Sequence, residues 1–161
     1  MRSDPSSPTE TPDRQRTFRQ RVGGRVSKWL LSIRVYGLLI VTRFIVDTLP
    51  LKRITEHLGT PMEETPREGV PADQLAYAKR VGRAISRLSP KTPTESNCYP
   101  KALTGRWLLQ RKDIPTTFYY GAAFDADGTS LEAHVWLRCG NLIVTGGGES
   151  RRFTPLTWFA R

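Results

Sequence analysis

Ser96-Asn97-Cys98-Tyr99-Pro100-Lys101-Ala102-Leu103-Thr104-Gly105-Arg106-Trp107-Leu108-Leu109-Gln110-Arg111 is the stretch on which the reading of this chain turns. Ser96 or Asn97 is a good helix N-cap, and Pro100 is tolerated in a first turn whose amides have no internal partner. Leu103, Trp107, Leu108 and Arg111 then follow helical spacing, and Asp113-Ile114-Pro115 closes the helix. Cys98 therefore belongs at the N-terminal end of a helix, where free amides and the positive end of the helix dipole favour a thiolate.

Beyond this helix the hydrophobic period changes from 3.6 to two. Residues 116–124 read as a strand, with Asp125-Ala126-Asp127-Gly128 as its turn. Residues 131–138 form a second strand, Cys139-Gly140-Asn141 a tight hairpin turn, and residues 142–145 a third strand entering Gly146-Gly147-Gly148. The last apolar segment, residues 153–159, is expected as a short strand or turn on the sheet. Asp125 and Asp127 are turn residues with too few oxygen ligands around them for calcium. The glycine triplet lacks the GK[ST] that a phosphate loop requires.

Upstream lie helices. Residues 1–25, with Pro5, Pro8 and Pro12 among Ser and Thr and then Arg14, Arg16, Arg19, Arg21 and Arg25, read as a disordered basic arm. Residues 29–51 are the most apolar stretch, expected as a core helix ending near Asp47 before Pro50, with a docking surface as the minority reading. Arg34, Arg43 and Asp47 interrupt it, and its longest uncharged run, residues 35–42, is eight residues, which argues against a membrane crossing. Residues 51–58 suggest a second short helix stopped by Gly59 and Pro61, and residues 61–71 a linker rich in Pro and Gly. Asp73 is expected to cap a third helix carrying Leu75, Ala78, Val81, Ala84, Ile85 and Leu88 on one face. Helices followed by an antiparallel meander make an α+β architecture. Residues 26–161 are read as one domain, with leading helices over about 28–58.

The 161 residues hold room for one domain with a core. Lys and Arg number 25 against 15 Asp and Glu, a formal charge of +10, of which +6 falls in residues 1–60. A field of that sign attracts acidic partners, RNA or an anionic membrane. Two cysteines exclude a disulfide scaffold, and with no CxxC pair no zinc site or other cofactor is expected. Few thiols and no signal-like start point to a cytoplasmic protein.

A nucleophilic cysteine needs a base, and the chain has two histidines, His57 and His134. His57 lies in the basic helical region, whereas His134 is on the second sheet strand, sharing a face by alternation with Glu132, Trp136 and Arg138. A helix-borne Cys98 and a strand-borne His134 make a workable catalytic pair. Cys139, at the hairpin, reads as an incidental thiol, and Trp107, Trp136 and Trp158 as core.

The runs Ser96 to Leu103, Leu108-Leu109-Gln110-Arg111-Lys112-Asp113-Ile114-Pro115 and Ala133-His134-Val135-Trp136-Leu137, in that order, resemble the lasso peptide biosynthesis B2 proteins. These correspond to the C-terminal protease domain of the microcin J25 processing protein, within the transglutaminase-like superfamily. Leu49-Pro50-Leu51-Lys52-Arg53 and Leu58-Gly59 extend the resemblance, so that it covers about residues 28–159, and the 36-residue separation of Cys98 and His134 also suits the family. The resemblance implies a transglutaminase-like or papain-like fold and a bacterial cysteine protease that cuts the leader from a ribosomally made precursor peptide. It implies Cys98 as nucleophile, His134 as proton carrier, and as partners the precursor, a separate leader-recognition protein B1 and a lasso cyclase. No nucleic acid is expected as a partner, and peripheral membrane contact could come through the basic N-terminus.

One position departs from the family pattern. An acidic residue is expected on the strand after the histidine to orient the imidazole, and near Gly146 this chain has none. Glu149 folding back, Glu132, a backbone carbonyl, or a dyad without a third member are the alternatives. Competing with the peptidase are another acyl transferase or amidase on the same scaffold, and a non-catalytic basic scaffold protein.

Overall fold

Four α-helices lead into a five-stranded antiparallel sheet in the described part of the chain. The structure, a computed structural model, describes residues 13–93 and 97–161, with side chains from residue 28 onward. The helices are α1 (Asp13–Thr48), α2 (Leu51–Thr55), α3 (Ala72–Leu88) and α4 (Cys98–Gln110). The strands are β1 (Thr60–Pro61), β2 (Thr117–Phe124), β3 (Leu131–Cys139), β4 (Leu142–Thr145) and β5 (Thr154–Ala160), in the order β1-β5-β2-β3-β4. The architecture is α+β, as the change of period implies.

α4 occupies the centre, packed against α1, α3 and β3. Tyr99, Ala102, Leu103, Thr104, Arg106, Leu108 and Leu109 are all buried, so the helix is enclosed on most of its circumference. Its neighbours supply matching stripes: Val35 and Leu39 from α1, Ala78, Val81 and Ile85 from α3, and Val135, Leu137 and Cys139 from β3. Full burial of each of the larger aliphatic side chains is worth about 1.5–3 kcal/mol. Thr42 adds a polar clasp between α1 and α4, its Oγ1 3.2 Å from the Pro100 carbonyl and 3.0 Å from Thr104 Oγ1. The Pro100 carbonyl and the Thr104 hydroxyl of α4 are thus satisfied by α1.

Several boundaries differ from the sequence expectation. α1 begins at Asp13 and ends at Thr48, so helix occupies residues 13–25 of the stretch read as a disordered arm, and residues 1–12 lie outside the described residues. The prolines that break helices stop at Pro12, which leaves the chain free to coil from the next residue. α3 is preceded by Pro71 in extended conformation with no side-chain cap bond, and Asp73 lies inside the first turn, where its charge favours the helix through the dipole instead. The proline-rich segment read as a linker is pinned to the sheet. Thr60 and Pro61 pair with Ala160 and Phe159, and the Met62 amide donates to the Trp158 carbonyl at 2.8 Å. The final segment is a full strand between β1 and β2.

Two buried arginines hold these pieces in place, and periodicity gave no sign that Arg106 would be one of them. Arg106, on α4, donates to the Leu58 carbonyl and to Thr116 Oγ1, tying the end of the α2 region to the start of β2. Burial, with the charge of Arg161 second, lowers its pKa to about 10. Arg138 uses all three nitrogens: Nε to Tyr119 hydroxyl at 2.9 Å, Nη1 to the Gly140 carbonyl at 2.8 Å, and Nη2 to the Thr65 carbonyl at 2.8 Å, Thr117 Oγ1 at 3.0 Å and Glu64 at 3.1 Å. It fastens the 62–71 segment across the hairpin end of β3.

Candidate active site

Cys98 is the first residue of α4. Asn97 precedes it in extended conformation and makes no side-chain cap bond, so the first-turn amides keep their capacity to bind an acceptor. Ser96, the alternative cap, lies outside the described residues. Cys98 is half-buried with a free thiol, and two cavities meet at it. The larger, about 920 Å³, is lined by Asn97, Cys98 and Lys101 of α4, Glu132, Ala133 and His134 of β3, residues 144–149, Phe153, and Ile85 and Ser86 of α3. The smaller, about 280 Å³ and mostly apolar, is lined by Cys98, Tyr99, Tyr120, Val46, Leu49, Leu51, Ile54 and Val135.

The strand register explains how a cysteine and a histidine reach one cavity. Val135, Leu137 and Cys139 point toward the helices, while Trp136 packs on the opposite face with Tyr119 and Phe153. β4 pairs only with Leu137, Arg138 and Cys139. From Trp136 back to Leu131 that edge of β3 has no strand partner among the described residues, and the turn of residues 146–149 lies beside it. The larger cavity straddles this free edge, with Cys98 and Ala133 on the helix side and Phe153 on the other. No direct hydrogen bond joins the Cys98 sulfur to the His134 ring among the described contacts.

His134 is buried (8% exposed) and its ring is clamped between Phe153 (centroids 4.8 Å apart, interplanar angle 24°) and Trp136 (6.0 Å, 20°). Its Nε2 lies 2.9 Å from the Gly146 carbonyl oxygen. A carbonyl can only accept, so Nε2 carries the proton and donates it. In the neutral ring Nδ1 is then the unprotonated, basic nitrogen. Gly146, which holds no carboxylate, orients the ring through its main chain. It has φ +76°, and a Cβ there would meet the Val135 carbonyl oxygen at 2.6 Å, Trp136 Cβ at 2.9 Å and His134 Nε2 at 3.0 Å. Glycine is the residue that lets this carbonyl come so close.

The two carboxylates named from sequence have other settings. Glu132 pairs with Arg152, whose guanidinium also lies over the Phe153 ring at 5.0 Å. Glu149 lines the cavity at the start of the turn that precedes β5, with no ion pair among the described contacts. His57 is bound at Nδ1 to the Arg53 carbonyl at 2.8 Å on the exposed α2 region and lines neither cavity. Cys139 is the last residue of β3, paired with Leu142 and fully enclosed, so it is a core residue rather than a turn thiol; burial pushes its thiol pKa up. Trp136 is buried, whereas Trp107 and Trp158 are half-buried.

Sequence reading missed Tyr99 and Tyr120. Their rings meet at 5.4 Å beside Cys98, and both hydroxyls are buried. Burial pushes both phenols up, and for Tyr120 the neighbouring Tyr99 and Cys98 act in the same direction. Both therefore stay protonated as donors near neutral pH. The alternation of β2 could have placed Tyr120 on the helix-facing side, but not beside a cysteine 22 positions earlier. Among the described residues no cluster of three or more His, Cys, Asp or Glu could hold a metal ion.

A helix-borne cysteine packed on an antiparallel sheet that presents a histidine is a framework for acyl transfer through a thiol. A model of the transglutaminase-like superfamily matches residues 42–157, well over half the chain, and the protein belongs to that superfamily. No curated protein and no solved structure matches it significantly. The superfamily comprises cysteine peptidases and acyltransferases, and the matched span contains α2 to α4, the strands up to β5, Cys98 and His134.

Proposed function

We propose that the protein is a cysteine peptidase that removes the leader from a ribosomally synthesised lasso peptide precursor. The observation that carries the thiol chemistry is the shared cavity: Cys98 at the open amide end of α4, and a His134 whose tautomer is set by the Gly146 carbonyl. The choice of substrate rests on the ordered resemblance of residues 96–103, 108–115 and 133–137 to the B2 proteins.

In this reading His134 Nδ1 takes the proton of Cys98, and the sulfur attacks the carbonyl carbon of the last leader residue. The Cys98 amide, free at the helix start, donates to the developing oxyanion. The imidazolium returns its proton to the amine of the core peptide as the C–N bond breaks, leaving a thioester. Water, deprotonated by Nδ1, then attacks the thioester, the C–S bond breaks, and the leader leaves as a carboxylate. Catalytic hydrogen bonds are often long before substrate binds, and closure of sulfur on imidazole is assigned to the substrate complex. A leader-recognition protein of the B1 type delivers the precursor, and a lasso cyclase consumes the freed core.

The test is mass spectrometry of a precursor peptide incubated with the protein and a B1-type partner. Cleavage at one junction is expected, lost by at least about 10³-fold in Cys98→Ala and retained in Cys139→Ala. Cleavage persisting in Cys98→Ala overturns the reading. A product joined to an added amine in place of a free leader carboxylate assigns the protein to the acyltransferases instead.

A further inference from the structure

α1 gives one side to the core: Val35, Leu39 and Thr42 are fully enclosed, and Leu31, Leu38, Ile45 and Val46 are half-buried beside them. Its opposite side carries Trp29 (64% exposed), Leu30, Ile33 (51%), Ile40, Val41 and Phe44 (68%), and past the helix end Leu49 and Leu51 continue the patch. Spacings of three and four put Leu30, Ile33, Gly37, Ile40, Val41 and Phe44 on one line, about 21 Å long at the rise of an α-helix. Soluble surfaces rarely leave so continuous an apolar strip uncovered.

The charges around the strip say what covers it. Lys28, Arg34, Lys52 and Arg53 fringe it, all exposed; of the acids nearby, Asp47 is paired with Arg43 at 2.9 Å and Glu56 is exposed at the end of α2, leaving a cationic excess. N-terminal to the strip, the same helix continues through Arg14, Arg16, Arg19, Arg21 and Arg25. An apolar line bordered by cations complements an anionic lipid surface, where the side chains enter the acyl boundary and the Lys and Arg heads stay among the phosphates.

We infer that α1 docks the protein on an anionic membrane, lying in the plane of the interface. Residues 28–48 are long and apolar enough to span a bilayer, with mean hydropathy 1.7. Spanning would tear Val35, Leu39 and the Thr42–Thr104 clasp out of the domain, and an in-plane helix leaves them in place. This inference does not depend on the peptidase reading.

The experiment is flotation of the full chain with vesicles of 30% phosphatidylserine in phosphatidylcholine, beside vesicles of phosphatidylcholine alone. Binding is expected to the anionic vesicles, weakened at least tenfold between 0.1 and 0.5 M salt, and weakened at least tenfold by the double variant Ile40→Glu/Phe44→Glu. Both side chains are exposed, so that variant should keep the wild-type circular dichroism spectrum and thermal midpoint. Failure to float, or equal flotation of the variant, overturns the inference. Membrane retention through alkaline carbonate washing overturns the in-plane geometry. A chain that is dimeric by light scattering, becomes monomeric in the double variant and ignores vesicles assigns the strip to a second copy instead.

Discussion

The two ends of β3 are built on opposite plans. At the hairpin end Leu137, Arg138 and Cys139 are paired with β2 on one side and β4 on the other, and the Arg138 guanidinium reaches Tyr119, Gly140, Thr65, Thr117 and Glu64. At the far end Glu132, Ala133 and His134 have β2 as their only strand partner among the described residues and face a cavity of about 920 Å³. The closed end spends its polar groups on structure. The open end commits one imidazole nitrogen to Gly146 and leaves the other without a hydrogen bond among the described residues. The cysteines divide the same way: Cys139 is sealed at the closed end and Cys98 stands on the cavity wall beside the open one. A single strand can thus anchor a domain at one end and present a histidine to a cavity at the other, because β4 stops short.

The heaviest blow to this division falls on the closed end. Arg138→Met keeps the length of the side chain but strands the buried Thr65 and Gly140 carbonyls and the Tyr119 hydroxyl, while Thr117 Oγ1 keeps its bonds to Thr65. The expected loss is about 3–5 kcal/mol in urea unfolding, with the 62–71 segment becoming sensitive to proteolysis. A loss below about 1 kcal/mol would mean that the network is an ornament on a strand already held by its ladder. Gly146→Asp is a sharper probe, since it restores a carboxylate where the family pattern expects one. At φ +76°, with the Val135 carbonyl and Trp136 Cβ in the way, the expected result is a loss of about 2 kcal/mol and lower activity. A gain in activity would show that the turn has room to rebuild an acidic orienter.

What could be read from the sequence follows the range of the interactions. The helix start at Cys98, the apolar face of α3 and the hairpin at Gly140-Asn141 are local, set by caps, spacing and turn residues. All three appear where expected. Cys98 and His134, 36 positions apart and singled out by spacing and resemblance, line one cavity. The Gly146 carbonyl was one of several orienters left open, since main-chain acceptors have no letter in a sequence. The pinning of residues 60–65 was not legible. It depends on Arg138 and Thr117 arriving from other strands, and a Pro-rich segment looks the same loose or fastened. The exposed side of α1 was legible only as a minority reading for a related reason: an all-round apolar helix reads first as core, and the packing shows that one side is left outside.

The smallest expected effect belongs to the carboxylates at the open end, and it tests the division most directly. If the ring is held by a carbonyl, no side chain is required as the third member, and Glu132→Gln and Glu149→Gln should each lower the turnover of the wild-type reaction less than about tenfold, under about 1.4 kcal/mol. Glu132 is already engaged by Arg152 on the sheet surface, and its amide replacement keeps the size of the side chain. Glu149 follows the glycine turn and has only to avoid blocking the cavity. The pH profile adds a second readout. An acidic orienter stabilises the imidazolium, so its removal would move the acidic limb of the rate profile to lower pH, whereas a carbonyl orienter leaves that limb in place in both variants. A loss above about 10³-fold in either variant, with a shifted limb, would show that the turn closes over the ring in the substrate complex. The acidic member missing from position 146 would then be supplied from further along the same loop.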